Sequence, residues 1–217
     1  LCQSLAELMP WGRQRIRYCP NAVISEYMLN AAQAPLPDGL PADYWLGVGR
    51  LVQPKGFHLL LDAYAMVLLR ATPLPDLVIA GEGPERVALT AQAQRLGIAD
   101  RVHFTGYLSN PYPLIRHARL LILSSVHEGL PTVLIEALAL GTPTLACECG
   151  SGARELLDHG RLGRLVKVND VPALAEGLLH SLTPDGQGAP AGRVAAEAVR
   201  QYGSHQSAEA YYQVWNQ

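Results

Sequence analysis

Lysine is scarce in this sequence: of 17 basic residues only Lys55 and Lys167 are lysines, and 19 acidic residues leave a formal net charge of -2. Without an excess of positive charge the chain has no field to gather nucleic acid or an anionic membrane, so any anion site must be local. The four cysteines, Cys2, Cys19, Cys147 and Cys149, are too few and too irregularly spaced for a zinc or disulfide framework in 217 residues. Cys147 and Cys149 are expected to lie on one face of an extended segment as small buried hydrophobes, which points to a reducing, cytoplasmic compartment. No apolar run approaches the ~20 residues of a transmembrane helix, nothing resembles a signal peptide, and no Asp-x-Asp triplet occurs. The first residue is Leu1 rather than Met, which suggests a piece of a longer protein.

What is present is apolar and ordered. At 49% hydrophobic residues the chain can bury a full core, which excludes a disordered polymer. From Tyr44 onward short apolar runs alternate with helical periodicity. Strands are expected at 44–49, 76–80, 101–105, 120–124, 144–147 and 164–168, with helices at 57–71, 84–97, 111–118, 132–140, 153–157 and 171–181. Parallel strands need crossover connections and helices supply them, so this alternation calls for an α/β, doubly wound, Rossmann-like domain over residues 44–182. Ligands of such sheets sit outside the carboxyl ends of the strands, which directs attention to the loops after Gly49, Ala80, Thr105, Ser124 and Cys147.

The ends read differently. Residues 1–30 hold a helix-like start (LCQSLAEL), a short extended run and Asn21, too little for a domain, and the Pro-rich stretch around 34–41 marks residues 31–43 as a linker. Residues 183–217 are expected as a connector followed by one C-terminal helix anchored by Tyr211, Tyr212 and Trp215.

Two loops carry candidate chemistry. Glu128, Gly129, Leu130, Pro131 and Thr132 lead into an apolar helix, and seven residues separate Glu128 from Glu136. Unpaired N–H groups of Leu130, Thr132 and Val133 at that helix mouth suit a phosphate. A diphosphate there leaves a ribose within reach of Glu136 and a sugar within reach of Glu128, since one carboxylate can accept from two vicinal hydroxyls. By residue type alone, Glu128 reads equally as a solvated loop residue and Glu136 as an exposed helix carboxylate. The apolar neighbours Leu134, Ile135, Ala137 and Leu138 favour a buried helix, on which a carboxylate needs a partner. In the loop from Gly47 to Gly56, Arg50 offers a planar fork and Lys55 a point charge, as a diphosphate clamp would; the alternative is a structural ion pair and a solvated turn lysine. Neither Gly47-x-Gly49 nor Gly81-Glu82-Gly83 has the third glycine of a dinucleotide fingerprint.

Together, Gly49-Arg50 with Lys55-Gly56, Gly81-Glu82-Gly83, Val102 to Gly106, and Glu128-Gly129-Leu130-Pro131 through Glu136 to Pro143 resemble the C-terminal domain of family 4 glycosyltransferases, over about residues 15–212. The resemblance implies the C-terminal half of a GT-B fold and retaining transfer from a nucleotide sugar. By that resemblance Arg50 and Lys55 hold the donor diphosphate with the amides of Gly129, Leu130, Thr132 and Val133. Glu136 binds the ribose, Tyr107 contacts the base and Glu128 faces the donor sugar as the catalytic carboxylate. Asn21 is similar to the residue at which such chains leave the N-terminal domain, which makes residues 1–30 a remnant of that domain. No cofactor or metal is implied.

The Glu-Gly-Leu-Pro-Thr loop and Ser151-Gly152-Ala153-Arg154-Glu155 resemble the branch that builds lipopolysaccharide and other surface polysaccharides from UDP-linked hexoses or N-acetylhexosamines. Many relatives have two glycines where this chain has Ser151 and Gly152, a departure that bears on the donor sugar and not on the fold. The expected partners are a nucleotide-sugar donor and a glycan or lipid-linked acceptor held by a missing N-terminal domain, and not nucleic acid. The expected location is cytoplasmic, with any membrane contact peripheral and made through the missing half. The rival readings are a binding module without activity and a nucleotide-sugar epimerase.

Overall fold

A computed structural model describes residues 17–183 and 193–216. The helix-like start at residues 1–8 and the connector over 184–192 lie outside the described residues.

Six short strands form one sheet: β1 (Tyr44–Val48), β2 (Asp76–Ala80), β3 (Val102–Gly106), β4 (Leu120–Leu123), β5 (Thr144–Cys147) and β6 (Arg164–Val166). All neighbours pair in parallel, in the order β3-β2-β1-β4-β5-β6. The helices are α1 (Glu26–Ala31), α2 (Phe57–Leu68), α3 (Arg86–Arg95), α4 (Tyr112–His117), α5 (Thr132–Leu140), α6 (Ser151–Leu156), α7 (Val171–His180), α8 (Arg193–Ala198) and α9 (Ser204–Trp215).

Successive strand residues face opposite sides, and the core is accordingly double. Trp45, Leu77, Ile79, Leu120, Ile122 and Leu145 meet α2, α3 and α7 on one face. Tyr44, Leu46, Val78, Leu121, Leu123 and Ala146 meet α4, α5, α6 and α8 on the other. In α2 the buried residues Phe57, Leu60, Leu61, Tyr64 and Val67 recur at the spacing of one helical face.

The expected strands and helices from Tyr44 to Ser181 are present, with ends shifted by a few residues. The helix expected from Pro84 starts at Arg86 because the Glu85 N–H donates to Leu51 O, at 3.0 Å, which ties this turn to the loop after β1. Two expectations are corrected. Cys147 and Cys149 are both buried but belong to opposite core layers. The Cys149 N–H turns back to Cys147 O at 2.7 Å, so the strand alternation ends at Cys147. The C-terminal stretch is two helices rather than one, and Tyr211, Tyr212 and Trp215 are 55%, 64% and 89% exposed. Gly203, with φ -68° and ψ 149°, breaks the helix and resets its phase, so Ala195, Val199 and Tyr202 anchor the segment instead. Tyr202 O accepts from Val23 and Ile24 N–H at 2.9 and 3.0 Å, which joins the two ends of the described chain.

Glycines let the loops at the carboxyl end of the sheet touch backbone to backbone. At Gly81 (φ +148°) an added Cβ would lie 1.8 Å from Gly49 O, whereas at Gly39 (φ +80°) it would meet open space. Gly81→Ala should therefore destabilise by about 2–4 kcal/mol, through overlap plus backbone strain. Gly39→Ala, with strain alone, should cost about 1 kcal/mol. Urea unfolding midpoints of the two variants check the contrast.

Candidate functional site

The strand order reverses between β1 and β4, and the loops after these two strands meet there. Hydrogen bonds zip them together: the Val126 N–H donates to Pro54 O at 2.8 Å and the Ser124 hydroxyl to Lys55 O at 2.9 Å. Gly56 takes a left-handed turn (φ +63°) where a Cβ would lie 2.2 Å from Ser124 O, so a side chain here would force the loops apart. The turn delivers Lys55 to Glu128: Nζ lies 2.5 Å from Oε1, with the two side chains 27% and 14% exposed. Ser125 donates its hydroxyl to the same Oε1 at 2.7 Å.

The main chain of Glu128 is held from a third side. Its N–H donates to Cys149 O at 3.0 Å, and Gly150 and Gly152 sit where a Cβ would lie 2.9 Å from Glu128 O and 2.6 Å from Gly129 O. The loops after β1, β4 and β5 thus fix one carboxylate in a half-buried position.

Helix α5 opens immediately beyond. Its N-cap is Pro131, with no side-chain cap, and among the described residues the N–H groups of Gly129, Leu130, Thr132 and Val133 make no hydrogen bond to the chain. Uncapped donors at the positive end of a helix dipole form a site for an anion. Further along the helix, Glu136 is half-buried and makes no hydrogen bond or ion pair among the described residues, and burial pushes its carboxyl above the usual carboxylate range. Its charge acts on the nearby Tyr112, whose pKa is raised first by burial and then by Glu136. The partner expected for Glu136 does not come from the described chain.

Arg50 and Tyr107 are both exposed and line a neighbouring cleft of about 270 Å³ at the carboxyl ends of β1, β2 and β3, with Gly81, Glu82 and Pro111. Arg50 does not join the Lys55–Glu128 contact, and among the described residues it has no carboxylate partner, contrary to the structural-pair alternative. The sites expected from sequence thus fall into three adjoining parts: the Lys55–Glu128 bridge, the α5 mouth with Glu136, and the Arg50–Tyr107 cleft. Asn21 is exposed. Ser125 was given no role in the sequence reading; the available signal was a hydroxyl two residues past the wholly buried strand β4 and three before Glu128. Among the described residues no three His, Cys, Asp or Glu side chains gather to hold a metal, and no helix is long and apolar enough to cross a membrane.

Glu136, without a partner among the described residues, should register in stability. Its folded-state pKa lies above the unfolded value, so the folded state binds more protons, and the carboxyl's penalty grows as pH rises from the ordinary carboxylate range through the raised value. Glu136→Gln should melt higher than the unaltered chain near pH 8 and no higher near pH 4, as thermal melts across that range would report.

Known proteins resemble this chain in sequence and in fold. A 4-alpha-N-acetylgalactosaminyltransferase of Campylobacter jejuni, which acts on N-acetylgalactosamine-N,N'-diacetylbacillosaminyl-diphospho-undecaprenol, is 36% identical over 157 residues, 72% of this chain and 42% of its own. The lipopolysaccharide core biosynthesis glycosyltransferase LpsE of Rhizobium meliloti is 30% identical over 168 residues, 77% of this chain and 47% of its own. Among solved structures, HepE of Anabaena in complex with UDP and glucose superposes with a TM-score of 0.70 at 26% identity, covering 82% of this chain and 48% of HepE. The chain thus spans less than half the length of these relatives. The model of the family described as "Glycosyl transferases group 1" matches residues 42–183, and the chain belongs to that family.

Proposed function

We propose that this chain is the donor-binding half of a retaining glycosyltransferase, family 4 in type, that moves a hexose or N-acetylhexosamine from a UDP-linked donor. The observation that carries this reading is the pairing of Lys55 with Glu128 at the reversal of strand order, beside an uncapped helix and a Glu136 that has no partner among the described residues. The diphosphate lies at the mouth of α5, held by the amides of Gly129, Leu130, Thr132 and Val133 with Lys55 and Arg50. Glu136 receives the ribose hydroxyls, and the base enters the cleft beside Tyr107. The UDP complex of HepE and the polysaccharide-building relatives support this donor class.

In transfer the bond from the anomeric carbon to the diphosphate breaks, and negative charge collects on the leaving oxygens. Lys55, Arg50 and the helix mouth are placed to stabilise that charge, which is commonly the largest single contribution to catalysis. These positive groups do the work of a metal ion, so none is required. Glu128 orients the sugar and favours positive charge at the anomeric carbon, while the acceptor hydroxyl attacks from the face the diphosphate leaves and gives its proton to the departing diphosphate oxygen.

The acceptor, a lipopolysaccharide or another glycan or lipid-linked sugar, is held by residues outside this chain, in an N-terminal half. The 217-residue chain then binds donor without turning it over. The complete enzyme is cytoplasmic and meets lipid-linked acceptors peripherally at the inner face of the membrane. The undecaprenol-linked acceptor in the name of the Campylobacter relative supports this placement.

Calorimetric titration of the chain with UDP, GDP and ADP tests the donor site. UDP should bind, and Lys55→Ala or Glu136→Ala should weaken it roughly tenfold or more; binding of none of the three sinks the reading. In the complete transferase Glu128→Ala should reduce turnover by orders of magnitude, and EDTA should leave turnover unchanged.

A further inference from the structure

Ser125 lies two residues beyond the end of β4 and is 1% exposed, yet its hydroxyl is aimed at chemistry, donating to Glu128 Oε1 at 2.7 Å. The same oxygen receives Lys55 Nζ at 2.5 Å. Both donors from the described chain therefore converge on Oε1, and Oε2 receives none among the described residues.

We propose that Ser125 is a positioning residue that holds Glu128 by Oε1, leaves Oε2 open to the donor sugar, and keeps its hold when the donor diphosphate draws Lys55 away. The inference rests on the donor-site reading above. Its physical basis is the difference between the two donors. Lys55 carries a mobile ammonium on a four-carbon stem, and an arriving diphosphate competes with Glu128 for it. Ser125 is uncharged, short and buried, so a diphosphate at the α5 mouth exerts no Coulomb pull on it comparable to that on Lys55.

The backbone around Ser125 is also anchored on both sides, by the Ser124 hydroxyl on Lys55 O at 2.9 Å and the Val126 N–H on Pro54 O at 2.8 Å. With the Glu128 N–H fixed on Cys149 O, the freedom left to the carboxylate is in its side-chain torsions, and the Ser125 hydroxyl restrains them. In the unliganded protein Lys55 and Ser125 share this task; with donor bound it falls to Ser125.

A double-mutant cycle in the complete transferase tests this, using Ser125→Ala, Glu128→Gln and the double variant. The donor is whichever of UDP-glucose, UDP-N-acetylglucosamine and UDP-N-acetylgalactosamine is turned over, and UDP serves as the binding probe. Ser125→Ala removes one oxygen without adding bulk, and should keep UDP affinity and donor KM within about twofold. Its kcat should fall about tenfold or more, as loss of a hydrogen bond to a charged group implies. Because Ser125 acts through Glu128, the double variant should be no slower than Glu128→Gln alone.

Unchanged kcat in Ser125→Ala overturns the proposal, as do losses that multiply in the double variant. A parallel loss of UDP affinity overturns it too, since Ser125 would then hold the loop and not the carboxylate. If Glu128→Gln itself turns over normally, or UDP does not bind the unaltered protein, the donor-site reading fails instead.

Discussion

The bridge between Lys55 and Glu128 depends on a constraint of parallel sheets. Every parallel pair needs a crossover, and the crossovers leaving β1 and β4 run to opposite sides of the sheet, so the loops after these strands part and leave a crevice. Lys55 comes from one of these loops and Glu128 from the other, 73 residues apart in sequence. Their contact closes the floor of the crevice, and the bonds from the Val126 N–H to Pro54 O and from the Ser124 hydroxyl to Lys55 O hold the loops in register beneath it.

Around that contact the chain leaves polar capacity unused. The α5 amides have no acceptor, Arg50 has no carboxylate and Glu136 has no donor among the described residues. Half-burying a carboxylate without a partner costs stability, and the direction of the Glu136 shift records that cost. Positive groups that lack negative partners, beside a carboxylate that lacks a donor, are complementary to a ligand with both phosphate oxygens and hydroxyls. The apolar layers above and below the sheet supply the stability that offsets these local costs.

Much of the fold was legible because burial in a two-layer α/β domain imposes period. The runs 76–80 and 144–147 are apolar after a polar first residue, and Phe57 to Val67 repeats at helical spacing. Legibility failed where a backbone turn reset the phase. The bend at Cys149 sent two neighbouring thiols into opposite layers, and the extended Gly203 left Tyr211, Tyr212 and Trp215 facing solvent. Site residues were legible as candidates because charged residues in the loops after strands are few. Ser125 was not, since a serine just past an apolar strand carries no sign of which carboxylate it will meet.

The sequence by itself determined the α/β class, the extents of the strands and helices through period and punctuation, and the residue types available at the carboxyl ends of the strands. Those properties are local, set by side-chain chemistry over a few turns. Only the tertiary structure decided the strand order, and with it that Lys55 and Ser125 share one oxygen of Glu128 while Arg50 joins Tyr107 in a separate cleft. Such pairings follow from the paths of crossovers and from glycine contacts such as Gly81 against Gly49, which are interactions between segments distant in sequence.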